Sequence, residues 1–289
     1  MLKIQNKKFD EERALYALKN ATLENCIFDG PADGESALKE TADLTLTNCV
    51  FHLRYPLWHC HNFTLDDCEF SSTARAAMWY DEGGIFRRCT LQGIKAFREC
   101  SDIHLSDCKV DSPEFGWFCH NMTLDSCTVQ AEYLFLKSDK LHLDNVNFEG
   151  KYSFQYVADS VVQNSVLVTK DAFWHAHNVT VKNCRVVGEY LGWYSDGLTL
   201  ENCDIYGTQP LCYCKNLTLK NCTMHGCDLA FEKSEVVAQI NGSVMSVKNP
   251  LKGKITADSI DELVLDKGYE NACEIVTKKT NLTKFALPY

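Results

Sequence analysis

Apolar and polar residues alternate along short stretches of this chain, and the stretches recur. In "LTLENCDI", Leu198 and Leu200 fall on one side of a strand and Thr199 and Glu201 on the other. Asn202 interrupts the alternation with a residue type that tolerates a bend, and Cys203 and Ile205 resume the apolar side. The phrase returns as "ATLENCIF", "LTLTNCVF", "FTLDDCEF", "IHLSDCKV", "MTLDSCTV", "VTVKNCRV" and "LTLKNCTM". Its anchor falls at Cys26, Cys49, Cys68, Cys89, Cys108, Cys127, Val146, Ser165, Cys184, Cys203 and Cys222. The successive steps are 23, 19, 21 and then 19 residues seven times. A fixed period of this length marks a stacked repeat.

Each unit holds several short strands and no helical segment, and it lacks the leucine-rich signature L-x-x-L-x-L-x-x-N. The pattern therefore predicts an all-β chain, a parallel β-helix of about 12 coils of roughly 19 residues. Two looser turns follow around 238–244 and 263–268. Coils are expected over 11–251, with residues 1–10 as an N-terminal cap. Residues 252–289 form an irregular last coil and a C-terminal cap, because an open solenoid must cover its strand edges. With no Pro/Gly/Ser linker, 1–289 reads as a single domain.

Equivalent residues of successive coils stack about 4.8 Å apart. Nine of the 16 cysteines occupy the anchor column, where Val146 and Ser165 substitute for them. That interchange predicts small buried thiols, not disulfides or metal ligands. Cys222, His225 and Cys227 resemble a zinc set, but Cys222 already belongs to the column and the usual ligand spacings are missing. No metal and no cofactor are expected. Asn25, Asn48, Asn145, Asn164, Asn183, Asn202 and Asn221 form the next column, expected to be a buried amide ladder.

The unusual residues lie in the third segment of each coil. Trp58, Trp79, Trp117, Trp174 and Trp193 share one column, which elsewhere holds Arg98, Leu136, Gln155, Cys212 and Glu232; because it accepts Arg, Gln and Glu, it reads as surface rather than core. The columns one before it and two after it (Cys60, Asp81, Cys100, Cys119, Ser138) both read as inward, which requires a bend near His59. "WHCHN", "WFCHN" and "WHAHN" recur three coils apart. In each, the second histidine meets an acidic residue in the next coil: His61 over Glu82, His120 over Asp139 and His177 over Asp196. His59 is likewise followed by Tyr80, and His175 by Tyr194.

One contiguous patch is expected from Trp58, His59, His61, Trp79, Tyr80, Asp81, Glu82, Arg98, Glu99, Trp117 and His120. Within it His61, Tyr80, Asp81, Glu82, Arg98, Glu99 and His120 are the candidates for acid–base chemistry. Glu82 and Glu99, in adjacent coils, suit the paired carboxylates of glycoside hydrolysis. Trp58, His59, Trp79, Trp117, His175, His177, Trp193, Tyr194 and Asp196 are the candidate ligand-binding residues, through aromatic platforms that suit sugars. The same composition also makes an ordinary solvated face with cross-coil polar pairs.

A net charge of −10 with no Lys/Arg run argues against nucleic acid and polyanionic sugars. No apolar run is long enough to span a membrane, and the charged opening does not read as a signal peptide, so a cytoplasmic setting with reduced thiols is expected.

Over about 240 residues the repeat resembles the pectin-lyase-like superfamily of single-stranded right-handed parallel β-helices. The "ERALYALKNATLENC" opening and the Trp/His coils are similar to a bacterial family, domain of unknown function 3737. The resemblance implies the fold. Characterised superfamily members are polysaccharide lyases, hydrolases and esterases, but their G-H-G with paired Asp and their calcium-binding Asp cluster with a catalytic Arg are missing here, and fold alone does not transfer function. Two readings follow. The first is recognition or processing of a neutral or cationic carbohydrate on the Trp/His/acid face, by a hydrolase or lyase if the chain is an enzyme. The alternative is a non-catalytic scaffold whose aromatic face binds a protein or a second copy of the chain, giving a homo-oligomer.

Overall fold

The computed structural model describes residues 1–30, 34–278 and, as backbone only, 283–285. The expected all-β parallel β-helix is what the chain forms, with about 14 turns rather than 12. It divides into two compact units, Met1–Glu149 and Gly150–Tyr289.

In the first unit, strands Lys19–Glu24, Ala42–Thr47, His61–Asp66, Glu82–Arg87, Ser101–Ser106 and His120–Asp125 stack in parallel, one per coil. Their inward residues form columns such as Leu23, Leu46 and Leu65, all fully buried. Phe9, Phe28, Phe51 and Phe70 make a second column, stacked at 5.2, 4.7 and 4.5 Å. Residues 1–10, expected as a cap, join the stack as strands: Leu2–Gln5 pairs with Lys19–Glu24, and Lys8–Phe9 with Ile27–Phe28. The sequence hid this coil because it carries no cysteine anchor.

In the second unit, His177–Lys182, Thr199–Glu201, Leu217–His225, Glu235–Asn241, Lys252–Ala257 and Cys273–Thr277 continue the same pairing. Coiling thus extends well past 251. The C-terminal cap expected in "TNLTKFALPY" lies outside the described residues, apart from the backbone of Thr283–Phe285, which pairs with Ser259–Val264.

Every anchor cysteine is at most 3% exposed, and all 16 cysteines are free thiols. The asparagine ladder exists, but not in the core. Each of the seven residues has φ of 51–54°, the left-handed region that Asn adopts at least cost among residues with a side chain. That turn throws the side chain outward, so the ladder is exposed. Asn183, Asn202 and Asn221 each donate a side-chain N–H to the preceding rung at 3.1, 3.1 and 2.7 Å.

Candidate functional site

A left-handed residue also follows the Trp column in each coil, which places the bend expected near His59. His59, Tyr80, Glu99 and Phe118 have φ between 54 and 58°. The residue before the turn lies half-buried against the surface, the turn residue projects outward, and the next points into the core.

In the first unit, Trp58 pairs in register with Trp79, and the register continues to Arg98 and Trp117. The two indoles stack at 5.7 Å. Lys39 sits 4.5 Å from the Trp58 ring, and the Arg98 guanidinium lies 4.6 Å from Trp117 and 5.9 Å from Trp79. These tryptophans are half-buried, so the column is a surface lining rather than core. Trp117 donates its indole N–H to the Tyr133 carbonyl at 2.6 Å. Trp58 Nε1, Trp79 Nε1 and Arg98 Nε are buried yet have no acceptor among the described residues. An unpaired buried donor costs about 1–3 kcal/mol.

One column over, His59 stacks on Tyr80 at 5.0 Å. Next to it, His61 Nδ1 lies 3.4 Å from Glu82 and His120 Nδ1 lies 2.5 Å from Asp139, as the stacking predicted. Both pairs are solvent-exposed, with side-chain exposures of 52 and 59% for the first. Glu82 and Glu99 do not share a column: Glu82 registers with His61 and Ser101, whereas Glu99 follows the Arg98 rung. His59 and His61 line an open depression of about 340 Å³ with Lys19, Glu40 and Ala42.

Asp81 does not belong to this face. It is 1% exposed, in the inward column with Cys60, Cys100, Cys119 and Ser138, because the turn at Tyr80 aims the next residue inside. Its Oδ1 accepts the Cys60 backbone N–H at 2.8 Å, and its Oδ2 has no partner among the described residues. Burial, with no cation nearby among the described residues, pushes the carboxyl well above the usual carboxylate range and so favours its neutral form.

The second unit gathers the other predicted residues and adds two. Tyr156, His175, Tyr194 and Tyr213 stack face to face in consecutive coils, at 4.8, 5.1 and 5.0 Å with planes 7–13° apart. Tyr156 is 49% exposed and Tyr194 46%. Beside them Trp174 stacks on Trp193 at 5.5 Å, and each indole N–H bonds a backbone carbonyl at 2.7 Å, Tyr190 and Gln209 respectively. On the other flank His177 registers with Asp196 and Asp196 with Lys215, and Asp196 accepts from the Asn216 amide at 2.7 Å. Tyr156 and Tyr213 were missed, although carrying the His175 column one coil in each direction finds them. Burial and the nearby Glu232 raise the Tyr213 phenol, which stays a neutral donor.

Among the described residues no group of three or more His, Cys, Asp or Glu could hold a metal ion, and no helix is long and apolar enough to cross a membrane. A family model described as "Protein of unknown function (DUF3737)" matches residues 2–277. The chain belongs to the DUF3737 family. No curated protein matches this DUF3737 chain. Among solved structures it is similar to a tailspike protein mutant of E. coli bacteriophage HK620 in complex with a pentasaccharide, at 10% identity and a TM-score of 0.39. That likeness covers 92% of the DUF3737 chain but 62% of the tailspike, less than two thirds of it. It is also similar to a mannuronic acid specific polysaccharide family 6 lyase from human gut microbiota (8% identity, TM-score 0.40, 98% and 92% of the two chains). A third is the A-module of the Azotobacter vinelandii mannuronan C-5 epimerase AlgE4 (10%, 0.33, 100% and 88%). None of these likenesses bears on what the DUF3737 chain itself binds.

Proposed function

We propose that this chain recognises a neutral glycan, without transforming it, along the stripe Tyr156, His175, Tyr194 and Tyr213. The observation that carries this is the four-ring stack, exposed at Tyr156, His175 and Tyr194 and half-buried at Tyr213. Stacked rings cover each other's faces, so the stripe offers solvent its ring edges and polar tips, three phenol hydroxyls and an imidazole. Sugar-face stacking on these rings is therefore not the mode. A row of donors and acceptors about one strand spacing apart suits a ligand whose hydroxyls recur along its length. Asp196, His177 and Lys215 add polar groups on the flank. Recognition is favoured over chemistry because the expected acid–base pairs are solvent-exposed histidine–carboxylate contacts, with no enclosed site around them among the described residues to strengthen their electrostatics.

The second reading is self-association, since a contiguous aromatic stripe also suits a protein contact. A panel of neutral oligosaccharides, tested with wild type and Tyr194→Ala beside light scattering, separates the two. The glycan reading expects at least one ligand whose binding Tyr194→Ala weakens. No glycan bound, with a dimer that Tyr194→Ala converts to monomer, would establish the second reading instead.

A further inference from the structure

Trp58 Nε1, Trp79 Nε1 and Arg98 Nε, each without an acceptor among the described residues, lie in one column, on three consecutive coils. Trp58 and Trp79 are stacked 5.7 Å apart, and Arg98 is the next rung. The arrangement departs from the rule set by the chain's other tryptophans, in which the indole N–H of Trp117, Trp174 or Trp193 reaches a turn carbonyl 16 residues on. The coil after Trp58 is also longer than the 19-residue norm, with 21 residues between Cys68 and Cys89. Tyr55 leans over the gap, its ring centroid 6.1 Å from Trp58 and 6.4 Å from Trp79.

Charge agrees with the donors. Four cations bound this spot: Lys39 on Trp58, Arg54 on Tyr55, Arg98 on Trp79, and Lys95 beside Glu114. Two carboxylates answer them: Glu35 pairs with Arg54 at 3.2 Å, and Glu114 is shared between Arg98 at 3.1 Å and Lys95 at 3.7 Å. In a chain of net charge −10, this is a local cationic excess surrounding buried N–H groups.

We infer that Trp58, Trp79 and Arg98, beneath the Tyr55 ring, form a binding site for an oxyanion. A carboxylate, phosphate or sulfate accepts the indole N–H groups from one side and the guanidinium N–H of Arg98 from the other, as charge-assisted hydrogen bonds. Tyr55 must swing aside to admit it. The site is independent of the glycan stripe, which lies in the other unit.

The test uses the full chain with ¹⁵N-labelled tryptophan, whose five indole N–H signals are assigned by single Trp→Phe substitutions. Acetate, inorganic phosphate and sulfate are titrated at constant ionic strength, with acetamide as the uncharged control. At least one anion should shift the Trp58 and Trp79 signals saturably, with a dissociation constant on the order of 1 mM. The Trp117, Trp174 and Trp193 signals, already bonded to carbonyls, should stay in place. Comparing the three anions identifies which oxyanion the site takes. Arg98→Gln should weaken binding about tenfold or more, and Tyr55→Ala should strengthen it by removing the cover. The proposal is overturned if no anion moves the two signals, if acetamide moves them equally, or if all five signals move together.

Discussion

Inside the first unit, the Asp81 carboxyl accepts the backbone N–H of Cys60 at 2.8 Å, with no cation paired to it among the described residues. Serine serves the same column in another coil, where Ser138 accepts the Cys119 N–H at 2.9 Å. A carboxyl there is tolerated as a neutral acid. Its folded pKa is raised above the ordinary 3.8, so the folded state binds more protons than the unfolded one. Stability then falls as pH rises through and above that value. Asp81→Ser should remove this slope and stabilise the chain by about 1–3 kcal/mol at pH 8, with the gain vanishing towards pH 4. Urea denaturation at several pH values measures it, and equal gains at both ends would refute the neutral-acid assignment.

Asn202 donates to Asn183 and accepts from Asn221, at φ of 53°. Replacing it separates the conformational from the hydrogen-bonding contribution. Asn202→Ala loses both bonds and strains the turn, so it should destabilise by about 2 kcal/mol. Asn202→Gly loses only the bonds and should cost about 1 kcal/mol. Thermal melts of the two variants give the ranking.

Thiol reactivity tests the cysteine columns. Fifteen cysteines are buried and Cys273 alone is partly accessible. Burial raises the Cys273 thiol to about 11, so it too should react slowly at neutral pH. Native protein treated with an aromatic disulfide reagent should release about one equivalent by mass spectrometry, and Cys273→Ala none. Denatured protein should release all 16. Fast modification of several native thiols would contradict the packing.

Most of the fold was legible because stacking repeats the same physical demand in every coil. Cys203 and Val146 interchange since each fills one small buried space, and that interchange exposed the period. The bend at His59 was legible too, since two inward columns cannot flank an outward one without it. Charge misled at Asp81, where its formal charge suggested solvent although its column was small and inward. An asparagine ladder alone suggests burial, but the left-handed backbone at each rung turns the side chains outward. In the candidate site, the three-coil Trp/His recurrence drew attention to His175 and Tyr194 and away from Tyr156 and Tyr213. Orphaned indole N–H groups have no sequence signature, since they depend on where a neighbouring turn's carbonyl lands.

Binding of a glycan by the second unit's aromatic stripe, along consecutive coils, requires each exposed ring to contribute to affinity. Calorimetric titration of the best neutral oligosaccharide into wild type, Tyr156→Ala, His175→Ala, Tyr194→Ala and Phe118→Ala tests it most directly. Each of the three stripe variants should weaken binding about fivefold to tenfold, as expected for the loss of about 1 kcal/mol per hydrogen bond. Phe118→Ala, in the other unit, should bind as wild type does. Undiminished binding by all three stripe variants, or equal loss in Phe118→Ala, would contradict the account.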